Sequence, residues 1–456
     1  MKKSLILIIS LILSISWAQA FEKDGLYYAI IDGEAVVTNQ SMHDTLKSIA
    51  YVFVPGMREA FSKYKGDIVI PPTVEYGGKT YKVTGISHYA FCFYLVDGIT
   101  SITIPETIKR IGLSAFSRSS VKELVFPNSV EKIGNSACED MLKLEKVVLP
   151  EKLDTIPQNM LGFGVGMSSG CNSALKEVVM PKSCKVIETE AFFYQNTLEE
   201  LTLPEDLQEI KKGAFGLCKK LQMAFPLSLK YIGQKALSYT LSPTNDIDFE
   251  NITLESSSFD CAKGLQSIKI PAKINNIPSS CFLGCSGVNT VEFTNQLDTI
   301  GEHAFDGLKQ LKAIILPSSV EYIGRGAFAR CPLLRSVYAR MEYPPYLVDF
   351  EFGSLVGSNG YSPANPSDAV VYVPVGCKGN YERAGWGKYF AQIVEMEETE
   401  QKQEFDAIAT GISTVKADDG VKPSGWYDLQ GRRLTEPRKG VNIIRYNDGT
   451  AKKVLK

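Results

Sequence analysis

Eight prolines pace the middle of the chain: Pro105, Pro127, Pro150, Pro181, Pro204, Pro226, Pro271 and Pro317. Most steps between them are 22 or 23 residues, and Thr294 stands 23 residues from both Pro271 and Pro317. The step from Pro150 to Pro181 is 31 residues, which implies an insertion. The step from Pro226 to Pro271 is 45, which fits two turns with a degenerate one between them, Asp248–Cys261. Self-similarity at this period means a solenoid, because each unit is too small to bury its own apolar face and must stack on its neighbours.

The unit has three phrases. In Leu198-Glu-Glu-Leu201-Thr-Leu203-Pro204 apolar residues alternate with polar ones, so the phrase predicts a short strand with one buried face. The proline lacks a donor and ends the ladder. In Val320-Glu-Tyr-Ile323-Gly324 the chain turns, and the glycine is expected to take a positive φ. Gly326-Ala327-Phe328 then opens a short helical or 3₁₀ segment, in which alanine allows close approach and phenylalanine fills the space between layers. Local departures leave this reading intact. Cys138 stands for a phenylalanine, Cys281 for an alanine and Leu237 for a phenylalanine, and the turn at Leu221 is one residue short.

The composite phrase L-x-x-[ILV]-x-[ILF]-P-x-x-[ILV]-x-x-I-G-x-x-A-F-x-x-C, visible from about Ile68 to Leu334, resembles the BspA-like branch of the leucine-rich-repeat family. The fold expected is an α/β leucine-rich-repeat solenoid with β-rich caps. It should have about 10–11 turns, each with one short parallel strand and a short helical segment. The resemblance also implies a surface protein that adheres to host matrix or to other cells.

The segments divide as follows. Residues 1–20 read as a secretory signal peptide, with Lys2 and Lys3 as basic region, Leu5–Ile15 as apolar core and Ala18-Gln19-Ala20 as cleavage site. Residues 21–67 read as an N-terminal β cap, with a hairpin turning at Asp32-Gly33 and a strand at Tyr51–Val54. Residues 68–340 are the repeats, interrupted by a loop at Gly162–Asn172. Residues 341–396 form a C-terminal cap with a strand at Ala369–Pro374, a loop at Ser354–Asp368 and a short helix bearing Trp386. Residues 397–424 begin with a charged run poor in apolar side chains and read as a linker. Residues 425–456 read as a separate β unit. Through Tyr427-Asp-Leu-Gln-Gly-Arg432, Lys439-Gly440 and Lys452-Lys-Val454, it resembles the C-terminal sorting domains of type IX secretion.

Composition excludes several functions. Net charge is −2, or −4 once Lys2 and Lys3 leave with the leader, so nothing favours nucleic acid or an anionic membrane. Once the leader is removed, no window could span a bilayer. The 10 cysteines of an exported chain invite disulfides, yet Cys218, Cys285 and Cys331 each fall three residues after the repeat phenylalanine. That slot suits a small buried free thiol. The three histidines, His43, His88 and His303, are widely separated, with His88 and His303 expected on solvated surface, and no catalytic, phosphate or dinucleotide motif occurs. No catalytic residue, metal or cofactor is assigned.

What remains is a surface. The strands should align into a parallel sheet whose outward residues form a ladder, continuing to Ala313 and Ile315. The candidate binding residues on it are Thr103, Glu123, Lys146, Glu177, Glu200, Thr202, Lys269 and Glu292. Such a face suits an extracellular or host matrix protein, or a glycan. The alternatives are a glycan-handling protein and an envelope scaffold.

Overall fold

The structure is a computed structural model of the chain. It describes residues 19–39, 64–92, 98–163, 173–244, 246–293, 296–347, 352, 366, 368–410, 423–428, 432–436, 441–446 and 451–455. The leader up to Ala18, the strand expected at Tyr51–Val54 and most of the two long loops lie outside these residues. The chain divides into two compact units, Met1–Asn245 and Asp246–Lys456.

The first unit opens with antiparallel strands Gln19–Lys23, Leu26–Ile31 and Glu34–Thr38. The tight turn falls at Asp32 and Gly33, which take φ of 50° and 80°, the double left-handed conformation that a two-residue hairpin needs. Phe21, two residues into the first strand, is buried and stacks on Tyr76 at 4.1 Å and Tyr28 at 5.4 Å. Glu34–Thr38 then pairs in parallel with Lys79–Ile86, and the sheet continues turn by turn through Arg110–Ile111 and Lys132–Ile133.

Most turns carry two short strands, although the phrase Leu198–Pro204, expected as a strand, forms only an isolated bridge from Glu200 to Gln222. The first phrase gives three- to five-residue strands, such as Glu123–Val125, Lys146–Val148 and Glu177–Val179, paired in register. The second phrase is itself a two-residue strand. Thr155–Ile156, Val186–Ile187, Glu209–Ile210 and Tyr231–Ile232 pair in parallel, with the isoleucines inward and buried. The third phrase is a run of turns. Ser117 N–H donates back to Ser114 O and Ser119 N–H to Phe116 O, the i→i+3 closure of a 3₁₀ segment. Between these, Ser114, Phe116 and Arg118 donate to Asn135, Ala137 and Glu139 of the next turn. The third side of the coil thus bonds to the neighbouring turn as the two strand sides do.

The recurring geometry of the Ile-Gly step differs from the expectation of a positive φ there. A Cβ added to Gly324 would lie 2.5 Å from the backbone nitrogen of Glu302, one turn back, and Gly112 meets His88 N at 2.4 Å. This glycine permits close approach of successive turns. The positive φ falls two residues later, at Ser114 (51°), Ser136 (55°), Lys235 (56°), Ser280 (57°), His303 (53°) and Gly326 (65°). The chain reverses there, just before the buried Ala-Phe pair.

Rings stack through the core, in pairs in the first unit (Phe91 on Phe116, Phe192 on Phe215) and as a continuous file in the second. In the second unit Phe259, Phe282, Phe305, Phe328 and Phe352 stack face to face at 5.2–5.6 Å, and the file ends against Trp386. Each buried phenylalanine contributes about 1.5–3 kcal/mol before side-chain entropy is subtracted. Cys138, Leu237 and Cys281 fill their irregular slots and are fully buried.

The second unit ends in a cap that prolongs the coil. Ala313–Leu316, Ser336–Ala339, Val370–Val373 and Gln392–Glu395 form one parallel sheet. A short helix, Lys378–Arg383 (α1), and a 3₁₀ turn, Trp386–Lys388, cover the ring file. The charged run read as a linker is instead an α-helix over Glu398–Thr410 (α2). Its apolar residues are too sparse to announce a helix, but Phe405 is buried against Ala313 and Tyr338, so tertiary contact stabilises what propensity leaves marginal. Beyond it, Pro423–Tyr427, Arg433–Leu434, Val441–Tyr446 and Ala451–Leu455 make an antiparallel sheet, with Ile444 buried and Trp426 packed against it.

Candidate binding surface

The outward side chains of the first-phrase strands stand in columns, because parallel register places equivalent residues side by side. In the first unit the strand Gly66–Val69 pairs with Ile99–Thr103, aligning Asp67 with Ser101 and Val69 with Thr103. Register then aligns Glu123, Lys146 and Glu177, and Glu200 bridges to Gln222. Repeat position extends these separate registers into one polar column: Asp67, Ser101, Glu123, Lys146, Glu177 and Glu200. Its neighbour is short and largely apolar: Val69, Thr103, Val125, Val148, Val179 and Thr202. Val69, Val125 and Val179 are 67%, 49% and 43% exposed, a repeated apolar row left open to solvent.

Charge in the polar column is partly neutralised. Lys146 Nζ lies 3.0 Å from Glu177 Oε1, and this contact raises the lysine pKa. Asp67 accepts hydrogen bonds from Ser101 Oγ at 2.6 Å and Thr100 Oγ1 at 2.8 Å, which hold its carboxyl below the usual range. On the flank, Lys176 pairs with Glu145 at 2.8 Å and Lys220 with Glu199 at 2.9 Å. These bonds order the side chains of a solvated face and do little for stability.

Of the eight residues chosen from sequence, six stand at outward first-phrase positions of the first unit and two at the equivalent repeat positions of the second. Thr103, Glu123, Glu177, Glu200 and Thr202 are exposed in the first unit, and Lys146 is half-buried between its acidic neighbours. In the second unit Lys269 and Glu292 are exposed and adjacent in register. Asp67 and Val69 were missed, although Gly66-Asp-Ile-Val-Ile-Pro71 carries the strand-and-proline phrase. The expectation that Ala313 and Ile315 continue the open ladder is corrected. Both point outward, but α2 lies over them and leaves Ala313 4% exposed.

Other polar clusters serve the coil. The buried carboxylate of Asp306 receives both Nε and Nη2 of Arg330 at 2.6 Å, while His303 Nδ1 lies 2.9 Å from it. Asp140 is held likewise by Arg118, at 3.1 Å. His88 is exposed as expected, yet its Nδ1 accepts from Leu113 N–H at 2.7 Å across the turn. The nine described cysteines are in the thiol form. Among the described residues no group of three His, Cys, Asp or Glu side chains could hold a metal, and no helix is long and apolar enough to cross a membrane.

Stacked parallel strands, proline-ended phrases and a ring-filled core define a leucine-rich-repeat solenoid. The chain belongs to the BspA-type leucine-rich-repeat family, whose repeat region matches in six copies over residues 83–163, 165–286 and 239–342. Similar solved structures include a leucine-rich repeat protein from Bacteroides ovatus, at 22% identity, 83% of this chain, 100% of that one and a TM-score of 0.46. A leucine-rich cell surface protein from Faecalibacterium prausnitzii is 20% identical over 87% and 99% of the two chains, with a TM-score of 0.43. The pneumococcal vaccine antigen PcpA is 20% identical over 83% and 99%, with a TM-score of 0.42. No curated protein matches the chain.

Proposed function

We propose that this is an exported, surface-displayed binding protein without catalysis, which recognises protein ligands through the open strand face of its repeats. The observation that carries the reading is the pair of columns in the first unit. An open row of small apolar side chains lies beside a polar row containing Glu123, Lys146, Glu177 and Glu200, and Thr103 and Thr202 belong to the apolar row. Apolar contact flanked by oriented charge is the composition of a protein-recognition patch. Family resemblance supports host matrix proteins or neighbouring cells as the source of ligand. The leader expected over residues 1–20 and the sorting-like segment 425–456 support export to the cell surface.

The test is binding of the purified full chain to parallel arrays of host matrix proteins and glycans, repeated with Glu200→Lys and Lys269→Glu. Saturable protein binding weakened by charge reversal is expected. Binding to glycans alone, or turnover of an arrayed sugar, overturns the reading. Fractionation of cells producing the chain with and without residues 425–456 tests sorting: the shortened chain is expected to stay behind the outer membrane.

A further inference from the structure

In the second unit one helix of the chain sits on the strand face, and its contacts are specific. Phe405 is buried over Ala313 and meets the ring of Tyr338 edge-on, with centroids 6.4 Å apart and planes at 89°. Tyr338 in turn stacks on Tyr372 at 4.8 Å, and Ile408 and Met396 pack on the same cluster with Ile315. The Tyr338 hydroxyl reaches Glu404 Oε2 at 3.4 Å, and Arg340 Nη1 pairs with Glu398 Oε1 at 2.8 Å. The face here is aromatic and aliphatic, with one cation at its edge.

The fit is incomplete on both sides. Arg340 Nε is buried without a hydrogen-bond partner, because Glu398 engages only Nη1. Gln401 is buried and donates Nε2 to Met396 O, but leaves its Oε1 unpartnered. A carboxylate set to take both nitrogens of Arg340 would bind the face better than Glu398 does. The helix is also weak by itself. It has 13 residues, no basic side chain in its last turn, and Glu404 and Asp406 in its C-terminal half, where the helix dipole disfavours them. Its packing rests chiefly on Phe405 and Ile408.

We propose that the strand face formed by Ala313, Ile315, Tyr338, Tyr372 and Arg340 is a docking surface for an acidic amphipathic helix, with α2 as its exchangeable resident. The ligand is a partner helix that presents an aromatic residue, an aliphatic one three positions later, and a carboxylate one or two turns ahead for Arg340. Helix-in-groove recognition of this kind is read through just such i, i+3 anchors. The inference extends the strand-face reading into the second unit. Its test reads α2 alone, so its failure is distinct from a failure of the exposed ladder to bind on the arrays.

Two measurements on the full chain decide it. In hydrogen exchange, α2 amides are expected to exchange through local opening, well before those of Ser336–Ala339 beneath them. Exchange of both elements together, only with unfolding of the unit, overturns the proposal. The second measurement uses a labelled peptide of residues 396–410 as the probe. Phe405→Asp in the full chain is expected to bind it at least about tenfold more tightly than wild type, since a resident occupying the site nine-tenths of the time weakens a competitor by that factor. Adding Tyr338→Asp is expected to abolish the gain. Equal binding by wild type and Phe405→Asp, with the fold retained by circular dichroism, overturns the proposal. If Phe405→Asp does not fold, the hydrogen-exchange result on wild type decides alone.

Discussion

Cys218 donates its thiol hydrogen to the carbonyl oxygen of Phe192, 3.0 Å away in the preceding turn. Cys285 makes the same bond to Phe259 at 3.0 Å, and Cys331 to Phe305 at 3.4 Å. The cysteine three residues after the repeat phenylalanine thus fills a small buried slot and ties successive turns together. Oxidation would remove that donor.

These thiols should therefore be inert. Burial pushes Cys218 and Cys331 up to about 12, and raises Cys138, Cys281 and Cys285 as well. Alkylation mapped by mass spectrometry at pH 8 is expected to leave all five unmodified until denaturant is added. The sign for stability follows. The folded state keeps these protons after the unfolded chain releases them, so their contribution is full below the ordinary thiol pKa. It is lost as pH climbs from about 9 towards 12. The thermal midpoint should fall across that window, and Cys218→Ala with Cys331→Ala should flatten the fall.

Glycine substitutions should separate close approach from backbone conformation. Gly324→Ala drives a methyl into the backbone of Glu302, which cannot swing aside, and is expected to cost about 1–3 kcal/mol or more. At Gly307, φ is 80° and the nearest heavy atom to an added Cβ is 3.4 Å away, so alanine should cost about 1–2 kcal/mol from conformation alone. Denaturant midpoints of the two variants give the order. An equal effect would argue that turn spacing is soft.

Phe305 lies between Phe282 and Phe328 at 5.6 and 5.5 Å and is fully buried. Phe305→Ala should destabilise the second unit by about 3–5 kcal/mol. Because repeats couple to their neighbours, hydrogen exchange should rise most in the turns that contain Phe282 and Phe328.

Arg330→Ala removes both guanidinium bonds from the buried carboxylate of Asp306 and leaves His303 beside it. A loss of about 1–3 kcal/mol is expected, the cost of stripping partners from a buried charged group. Arg330→Ala combined with Asp306→Leu should recover part of it, since removing both partners avoids the unpaired charge. Chemical denaturation of the two variants reads the difference.

The coil was legible because one phrase recurs with alternating apolar residues and a closing proline, so each turn corroborates the others. The outward positions of Glu123, Lys146 and Glu200 followed from that alternation. The second ladder was not legible, because two residues such as Thr155–Ile156 are too short to show a period. The Ile-Gly glycine misled because sequence cannot tell a glycine needed for conformation from one needed for contact. Only the 2.5 Å approach of Gly324 to Glu302 separates the two. Helix α2 was hidden for a related reason. Its charged composition reads as solvated, and its order comes from Tyr338 and Ala313, some 70 to 90 positions earlier in the chain.

Lys146–Val148 still pairs residue for residue with Glu177–Val179, although the proline step between those turns is 31 residues and not 22 or 23. The columns therefore do not depend on how many residues a turn contains. Adding or losing a whole turn would lengthen or shorten the face by one row, about 4.8 Å, without rewriting the rows on either side. The face is a ruler graduated in turns, and its reach can change by duplication of coding sequence while every existing contact keeps its place.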